Sequence, residues 1–217
     1  MPEIGVEWVN EYHGRADDLR NCDECAERFY DELDGTRQFN WGNDDAWDQD
    51  FEESGDSNYA DDVDIVYFAG HGSPNSFLFG NASHNDGTAF STSIRLGDGD
   101  CEWMVLDACQ TLREENVDGW CDSFRGLHYI LGFHTNADDS RNRGRYFARR
   151  LNRGKTVREA WIKACKLTAP NRLELAYLRA DDRSRGTDTY NDHWHGEGFV
   201  SPDPREPDEF WYYRTDC

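Results

Sequence analysis

Three stretches of this chain, "DIVYFAG" (64–70), "CEWMVLDAC" (101–109) and "GLHYILGFHTN" (126–136), carry apolar runs with no alternation of polar residues. A strand with one face in water alternates; a strand apolar throughout needs cover on both faces. Such strands, separated by helical segments and long crossings, predict an α/β fold with a mostly parallel central sheet flanked by helices, an α/β/α sandwich. In a sheet of this kind functional groups collect just beyond the C-terminal ends of the strands. The residues that follow the apolar runs therefore constrain function most.

The remaining segments fit around that sheet. "EIGVEWV" (3–9) reads as a short strand. "ADDLRNCDECAERFYDELDG" (16–35) reads as a helix, with Leu19, Cys22, Ala26, Phe29 and Leu33 on one face and Gly35 as its stop. The acidic, aromatic stretch 39–62 reads as a loop with a helical turn. "SFLFG" (76–80) and "STSIRL" (91–96) read as short strands around a Gly/Asn-rich turn. Helices are expected over 140–154 and 156–170, the second with Thr156 as N-cap and Glu159 at the capping-box position. "ELAYLRA" (174–180) is a last strand. With no repeat and no linker, 1–217 reads as one domain: a core at about 64–180, an N-terminal strand–helix portion 1–63 and a polar, aromatic C-terminal extension 181–217 that packs over it.

Charge narrows the partners. There are 44 acidic residues against 23 basic ones, a formal net charge of −21, and the acids are spread along the chain rather than gathered in a tail. Phosphate backbones are repelled by such a surface, which argues against nucleic acid. At about 1 M salt the screening length falls to about 3 Å, so concentrated salt relieves the self-repulsion. The composition resembles that of haloarchaeal cytoplasmic proteins. The start, "MPEIGVEWVN", has neither a basic segment nor an apolar core of the secretory kind, and no stretch is apolar for 18 residues. The expectation is a soluble cytoplasmic protein with no membrane partner. In that compartment most of the seven cysteines should be free thiols, and any special one needs a special context.

Two strand ends supply that context. One ends in Gly70-His71-Gly72 and the other in Asp107-Ala108-Cys109. If the strands are adjacent and parallel, an imidazole and a thiol arrive at one sheet edge as a base and its nucleophile. A thiolate is a strong nucleophile, and imidazole accepts or donates a proton near neutral pH. The glycines beside His71 allow a tight turn and close approach of substrate. The N–H groups of Gly72 and Cys109 are then candidates for an oxyanion hole, and acyl transfer is the reaction class. The alternative is a histidine capping a turn and a cysteine serving as a small buried hydrophobe.

His-Gly after one apolar strand and Ala-Cys after the next resemble the pattern of the caspase-like, or clan CD, cysteine peptidases, a group that includes caspases, legumains, gingipains, separases and CHAT domains. The stretch "GLHYILGFHTNADDSRNRGRYFARRLNRGKTVREAWIKAC" (126–165) looks like the strand–helix–turn–helix segment of the CHAT-like and gingipain-like members. The resemblance covers about residues 64–166. It implies a caspase/hemoglobinase-like sandwich, a protein or peptide substrate, His71 as general acid/base, Cys109 as nucleophile through a thioester acyl-enzyme, the Gly72 and Cys109 amides as oxyanion hole, and no cofactor. The caspase signature Gln-Ala-Cys-x-Gly is absent; here the chain reads Asp107-Ala108-Cys109-Gln110-Thr111. Asp107, as part of an acidic pocket favouring Arg or Lys, and His134, at the end of the third apolar run, are the candidate substrate-pocket residues.

Two other readings belong to different classes. One is a caspase-like module that binds a protein partner without turnover. The other is a metal-binding module built from Cys22, Cys25 and the His193/His195 pair. Cys22 and Cys25 form a C-x-x-C with no second pair to complete a zinc site, so packing along an amphipathic helix explains them. His193 and His195, in "NDHWHGEGFVSPDP" (191–204), read as a surface loop anchored by Trp194 and the prolines, or as a border of the active site. Asp44-Asp45, Asp61-Asp62 and Asp181-Asp182 lack the spacing of an EF-hand and read as solvated surface. No metal is assigned.

Overall fold

A computed structural model describes residues 1–83 and 85–217. The chain alternates strands and helices: β1 (Glu3–Trp8), α1 (Cys22–Glu32), β2 (Thr36–Gly42), β3 (Ile65–Ala69), β4 (His71–Ser73), β5 (Ser76–Leu78), β6 (Thr88–Phe90), β7 (Trp103–Asp107), β8 (Tyr129–Phe133), α2 (Arg143–Leu151), α3 (Val157–Thr168), β9 (Glu174–Asp181) and β10 (Glu209–Asp216). Seven strands form one sheet in the order β10-β9-β8-β7-β3-β1-β2. From β2 to β8 every pairing is parallel; β9 and then β10 join antiparallel. The three unalternating runs are β3, β7 and β8, adjacent in the middle and buried at every position. This is the mostly parallel α/β architecture expected of them.

The two faces are covered differently. One face packs Ile4, Val6, Ile65, Tyr67, Val105, Leu131 and Leu175 against all three α-helices, through Phe29, Phe147 and Trp161 among others. The opposite face buries Val66, Phe68, Met104, Leu106 and Ile130 beneath short 3₁₀ turns, loops and a small antiparallel sheet of β4, β5 and β6. Phe51, Phe68, Phe77 and Phe79 make an aromatic cluster there, with ring centroids 4.6–6.1 Å apart. Thr156 caps α3 as its sequence predicts, its hydroxyl accepting the Glu159 N–H.

Three local expectations differ. The first helix begins only at Cys22, because Asn10, Asp18 and Asp139 side chains bind the backbone N–H groups at residues 12 to 23 and hold the segment before it in turns. The stretch 91–96 makes only isolated bridges at Ile94 and Leu96, while the strand facing β5 is Thr88–Phe90. Finally, β2 and β10 lie in segments read as loop and as packing extension. Both are sheet-edge strands with mixed polar faces, so neither carries a buried run.

Glu7, in β1, is fully buried beside Asp50 and Asp48, and among the described residues no Arg or Lys pairs with it. Burial, reinforced by these neighbouring carboxylates, pushes the Glu7 carboxyl up, and burial pushes Asp50 up to about 6. Both folded-state values are raised, so the contribution of these groups is intact below the unfolded carboxylate range. It is lost as pH rises, through about 6 for Asp50 and onward for Glu7. Glu7→Gln removes the charge and keeps the shape. Its melting temperature is expected to exceed the wild type's by roughly 5 °C at pH 8 and to match it at pH 4. Equal melting curves at both pH values would refute this account.

Candidate active site

β1 is flanked by β2 on one side and β3 on the other, so the chain departs from it in both directions. A crevice opens at the C-terminal edge of such a switch point. Here it is a cleft of about 240 Å³, lined on the sheet side by Ala69, Gly70, His71, Asp107 and Cys109. Leu19, Cys22 and Cys25 form one wall, and residues 137–140 form the other. His71 and Cys109 thus meet in one cleft. Their positions follow from the ladder: Ala69 pairs with Asp107 between β3 and β7, and each of the two residues stands two positions beyond its paired partner.

His71 is held from three directions. Its N–H donates to the Tyr12 hydroxyl (2.7 Å), and the Tyr12 ring lies 4.7 Å from the imidazole. Its Nε2 lies 2.7 Å from the Asp17 carbonyl oxygen. A carbonyl only accepts, so Nε2 carries the proton and Nδ1 is the basic nitrogen of the neutral ring. Gly70 leaves no room for a side chain, since a Cβ there would sit 2.7 Å from Phe68 and from the Tyr12 hydroxyl.

The Cys109 sulfur is half-buried, accepts the Ala137 N–H (3.3 Å) and faces the Ala137 carbonyl (3.6 Å). Burial pushes its thiol up, more than the Ala137 N–H pulls it down, so at neutral pH the resting sulfur carries its proton. Gln110, the next residue, has φ 57°, a left-handed conformation unusual for a residue with a side chain. Its N–H is tied to the Thr135 carbonyl (2.9 Å), which fixes the turn that presents the thiol.

Gly72 packs directly on this turn: a Cβ there would lie 2.7 Å from the Cys109 carbonyl oxygen and 2.9 Å from the Ala108 Cβ. Phe77, opposite Gly72, directs its own polar groups toward β6, as the flanking bonds Phe79 N–H to Gly87 and Ser91 N–H to Asn75 require (2.9 Å each). By the alternation of an antiparallel ladder, the Gly72 N–H therefore points away from β5.

The other predicted site residues fall differently. Asp107 lines the cleft, but its carboxylate is not free. It is ion-paired with the Arg143 guanidinium and accepts from the Tyr67 hydroxyl (2.8 Å) and the Cys25 thiol (3.3 Å). Arg143 also binds Asp138. The carboxylate charge is met internally by Arg143, so Asp107 lines the cleft as a paired carboxylate rather than a free one. His134 lies outside the cleft. Its N–H donates to the Glu174 carbonyl (3.0 Å), which draws it toward β9. There its Nδ1 accepts the Glu114 N–H (3.1 Å), with Tyr212 and Arg214 against the ring. It lines a separate depression with Gln110 and Arg113.

Cys22 and Cys25 both reach the cleft wall, the first beside Asp139 (3.8 Å) and the second taking the Gly144 N–H (3.3 Å). Burial raises both thiols, Cys25 up to about 12. They do not meet His193 or His195. His193 pairs through its backbone with Phe199, and His195 lies against Asp64, at the start of β3 and the far end of that strand from the cleft. The four-residue metal site is thereby corrected. Arg143, Tyr12 and the Asp17 carbonyl escape sequence reading. An arginine in a basic helix and a main-chain oxygen carry no pattern that announces a role.

An α/β sheet that brings a thiol and an imidazole into one cleft at the C-terminal edge of its parallel strands is the class these features define. The family model described as "Domain of unknown function (DUF6345)" matches residues 6–215, and the chain belongs to that family. A protein of Archaeoglobus fulgidus is 32% identical over 98 residues, a match that covers 40% of this chain and 37% of that protein's length. Among solved structures the chain is similar to a secreted C11 cysteine protease from Bacteroides thetaiotaomicron, solved with an irreversible peptide inhibitor. The TM-score is 0.47 at 10% identity, covering 82% of this chain and 66% of that one. It is also similar to the Drosophila initiator caspase Dronc, with a TM-score of 0.43 at 10% identity, covering 81% of this chain and 78% of that one. No helix among the described residues is long and apolar enough to cross a membrane.

Proposed function

We propose that the protein is a cysteine endopeptidase of the caspase-like type. The observation that carries this reading is the shared cleft: His71 and Cys109 leave adjacent parallel strands at matched positions and line one cavity. The sequence resemblance to CHAT-like and gingipain-like peptidases supports the same assignment. The reading takes the chain, 1–217, as one working unit, soluble in the cytoplasm of a halophile.

The proposed reaction uses these residues in order. A peptide carbonyl enters the cleft, and its approach draws the Cys109 sulfur away from Ala137. The protonated thiol needs a base, and the His71 Nδ1 takes its proton while Nε2 stays on the Asp17 carbonyl. Sulfur adds to the carbonyl carbon, and the oxygen gains charge beside the Gly72 and Cys109 N–H groups. Collapse breaks the C–N bond, the imidazolium gives its proton to the leaving amine, and a thioester remains. Water then attacks, activated by the same imidazole, and releases the acid and the thiol.

The test is incubation in molar salt with fluorogenic peptides ending in Arg, Lys, Asp or Asn, beside a thiol-directed acyl probe. The expected result is turnover of at least one peptide and stoichiometric labelling at Cys109. No turnover and no labelling at any salt concentration would leave the peptidase reading without support, and would favour the module that binds without turnover. Gly72→Ala offers a finer check. The added methyl meets the Cys109 carbonyl oxygen, so turnover is expected to fall about 100-fold while the protein stays folded. Unchanged turnover in that variant would show that the close packing of position 72 on the Cys109 turn does not govern the reaction.

A further inference from the structure

At the edge of the sheet opposite the cleft, where β3 and β7 begin, three side chains converge. Asp64 precedes β3, Glu102 precedes β7, and His195 comes from the loop after α3 and β9. Their ligand atoms all lie within 4.8 Å of one another. We propose that Asp64, Glu102 and His195 form a binding site for a divalent transition-metal cation of the zinc or manganese kind.

Spacing is the first argument. The His195 Nε2 stands 2.9 Å from the Asp64 Oδ1 and 3.4 Å from the Glu102 Oε1. Ligands bonded to one cation at about 2.0–2.2 Å stand about 2.9–3.5 Å from each other along the edges of an octahedron or tetrahedron. Direction is the second. The His195 Nε2 is buried and makes no well-directed hydrogen bond to either carboxylate, and the Glu102 Oε2 is buried with no partner at all. Buried polar atoms left in this state are rare and call for an explanation. The ligand atoms of the three groups lie close enough together to share one cation, and two of their buried polar atoms have no satisfying hydrogen bond.

Charge is the third argument. Glu3 and Asp100 stand beside Asp64 and form a second, overlapping group of three ligands with it. Among the described residues no Arg or Lys pairs with any of these four carboxylates; His195 bridges Asp64 and Glu102, the N-terminal amine lies near Glu3 and His128 near Glu102, which leaves four carboxylates against few cations. A divalent cation supplies the compensation the protein lacks.

The site is also held in advance. The Asp64 Oδ2 accepts the Glu3 N–H (2.6 Å), which turns Oδ1 toward His195. The imidazole packs edgewise on Trp103 (5.3 Å) and Trp194 (5.9 Å). Partners behind the ligands fix them in this way in metal sites generally. An imidazole with carboxylates suits zinc or manganese, whereas calcium and magnesium take all-oxygen shells. The bound ion would pin the C-terminal loop to the start of the two strands whose far ends carry His71 and Cys109. This inference is independent of peptidase activity.

The experiment is calorimetric titration of the chelator-stripped full chain with ZnCl₂ and MnCl₂, with CaCl₂ and MgCl₂ for comparison. One equivalent of zinc or manganese is expected to bind, with calcium and magnesium far weaker. His195→Ala and Glu102→Gln are each expected to weaken binding at least about 100-fold. Cys22→Ser with Cys25→Ser should leave it unchanged. At 100 times the dissociation constant the metal should raise the melting temperature by about 5–10 °C. CoCl₂ gives a readout that does not depend on a variant folding: the wild-type complex should show visible d–d bands without a thiolate charge-transfer band. No saturable uptake by the wild type, uptake that survives His195→Ala, or a thiolate band would each overturn the site.

Discussion

Cys109→Ala is expected to lower peptide turnover by about 10⁴-fold or more, with no change in melting temperature beyond a degree or two. The size of the effect follows from chemistry. Without sulfur no thioester forms, and the cleft retains only its hydrogen-bond donors and the binding they provide. Stability should hold because the thiol is half-buried and its two contacts, both to Ala137, are weak sulfur hydrogen bonds. His71→Ala should show a comparable loss of turnover with a different signature. Its Cys109 still labels with an acyl probe, but more slowly, and the rate recovers as pH rises and the thiol ionises without help. Cys109→Ala should not label at any pH. Turnover within tenfold of wild type in Cys109→Ala would assign the activity to another group or to a contaminant.

The second large effect is structural. Arg143→Met is expected to destabilise the fold by about 3–5 kcal/mol, because it leaves the buried Asp107 carboxylate without its cation. For a chain of this size that is a fall of roughly 10 °C in melting temperature. Burial pushes the Asp107 carboxyl up, and the Arg143 charge, the Tyr67 hydroxyl and the Cys25 thiol all oppose that push. Removing only the cation therefore removes the largest compensation. Adding Asp107→Asn to Arg143→Met should recover at least half of the loss, since a neutral amide oxygen still accepts from Tyr67 and Cys25. A double variant no better than Arg143→Met would show that the two side chains do not act as a pair.

How much of this was legible depended on whether the signal was local. Each of β3, β7 and β8 announces itself, because full burial writes an apolar run into four or five neighbouring residues. Thr156 and Glu159 are three residues apart, and their cap is visible for the same reason. His71 and Cys109 could be brought to one edge from the strand ends alone. Asp107 could not be understood in this way. Its partner Arg143 is 36 residues away on a helix, and two residues in one cleft can be a pocket or an internal pair with the same sequence. His134 follows an apolar run as the other two do, yet β9 runs antiparallel and pulls it to the Glu174 side. The convergence of Asp64, Glu102 and His195 spans more than 130 positions and leaves no periodic trace. Edge strands β2 and β10 fail for a gentler reason: one face of each meets water, so the apolar pattern thins.

The matched placement of His71 and Cys109 has an evolutionary corollary. Their separation is set by the register of two paired strands, and a register changes only in whole residues, each step reversing every side chain from face to face. The spacing of thiol and imidazole is thus digital: it can be lost in one mutation and hardly adjusted by any. Adaptation to new substrates has to occur elsewhere, in the segment before α1 that bears Leu19 and in the loop at 137–140 that covers the sulfur. Those two walls are free to vary by small steps while the pair between them stays fixed, and members of this family should differ most there.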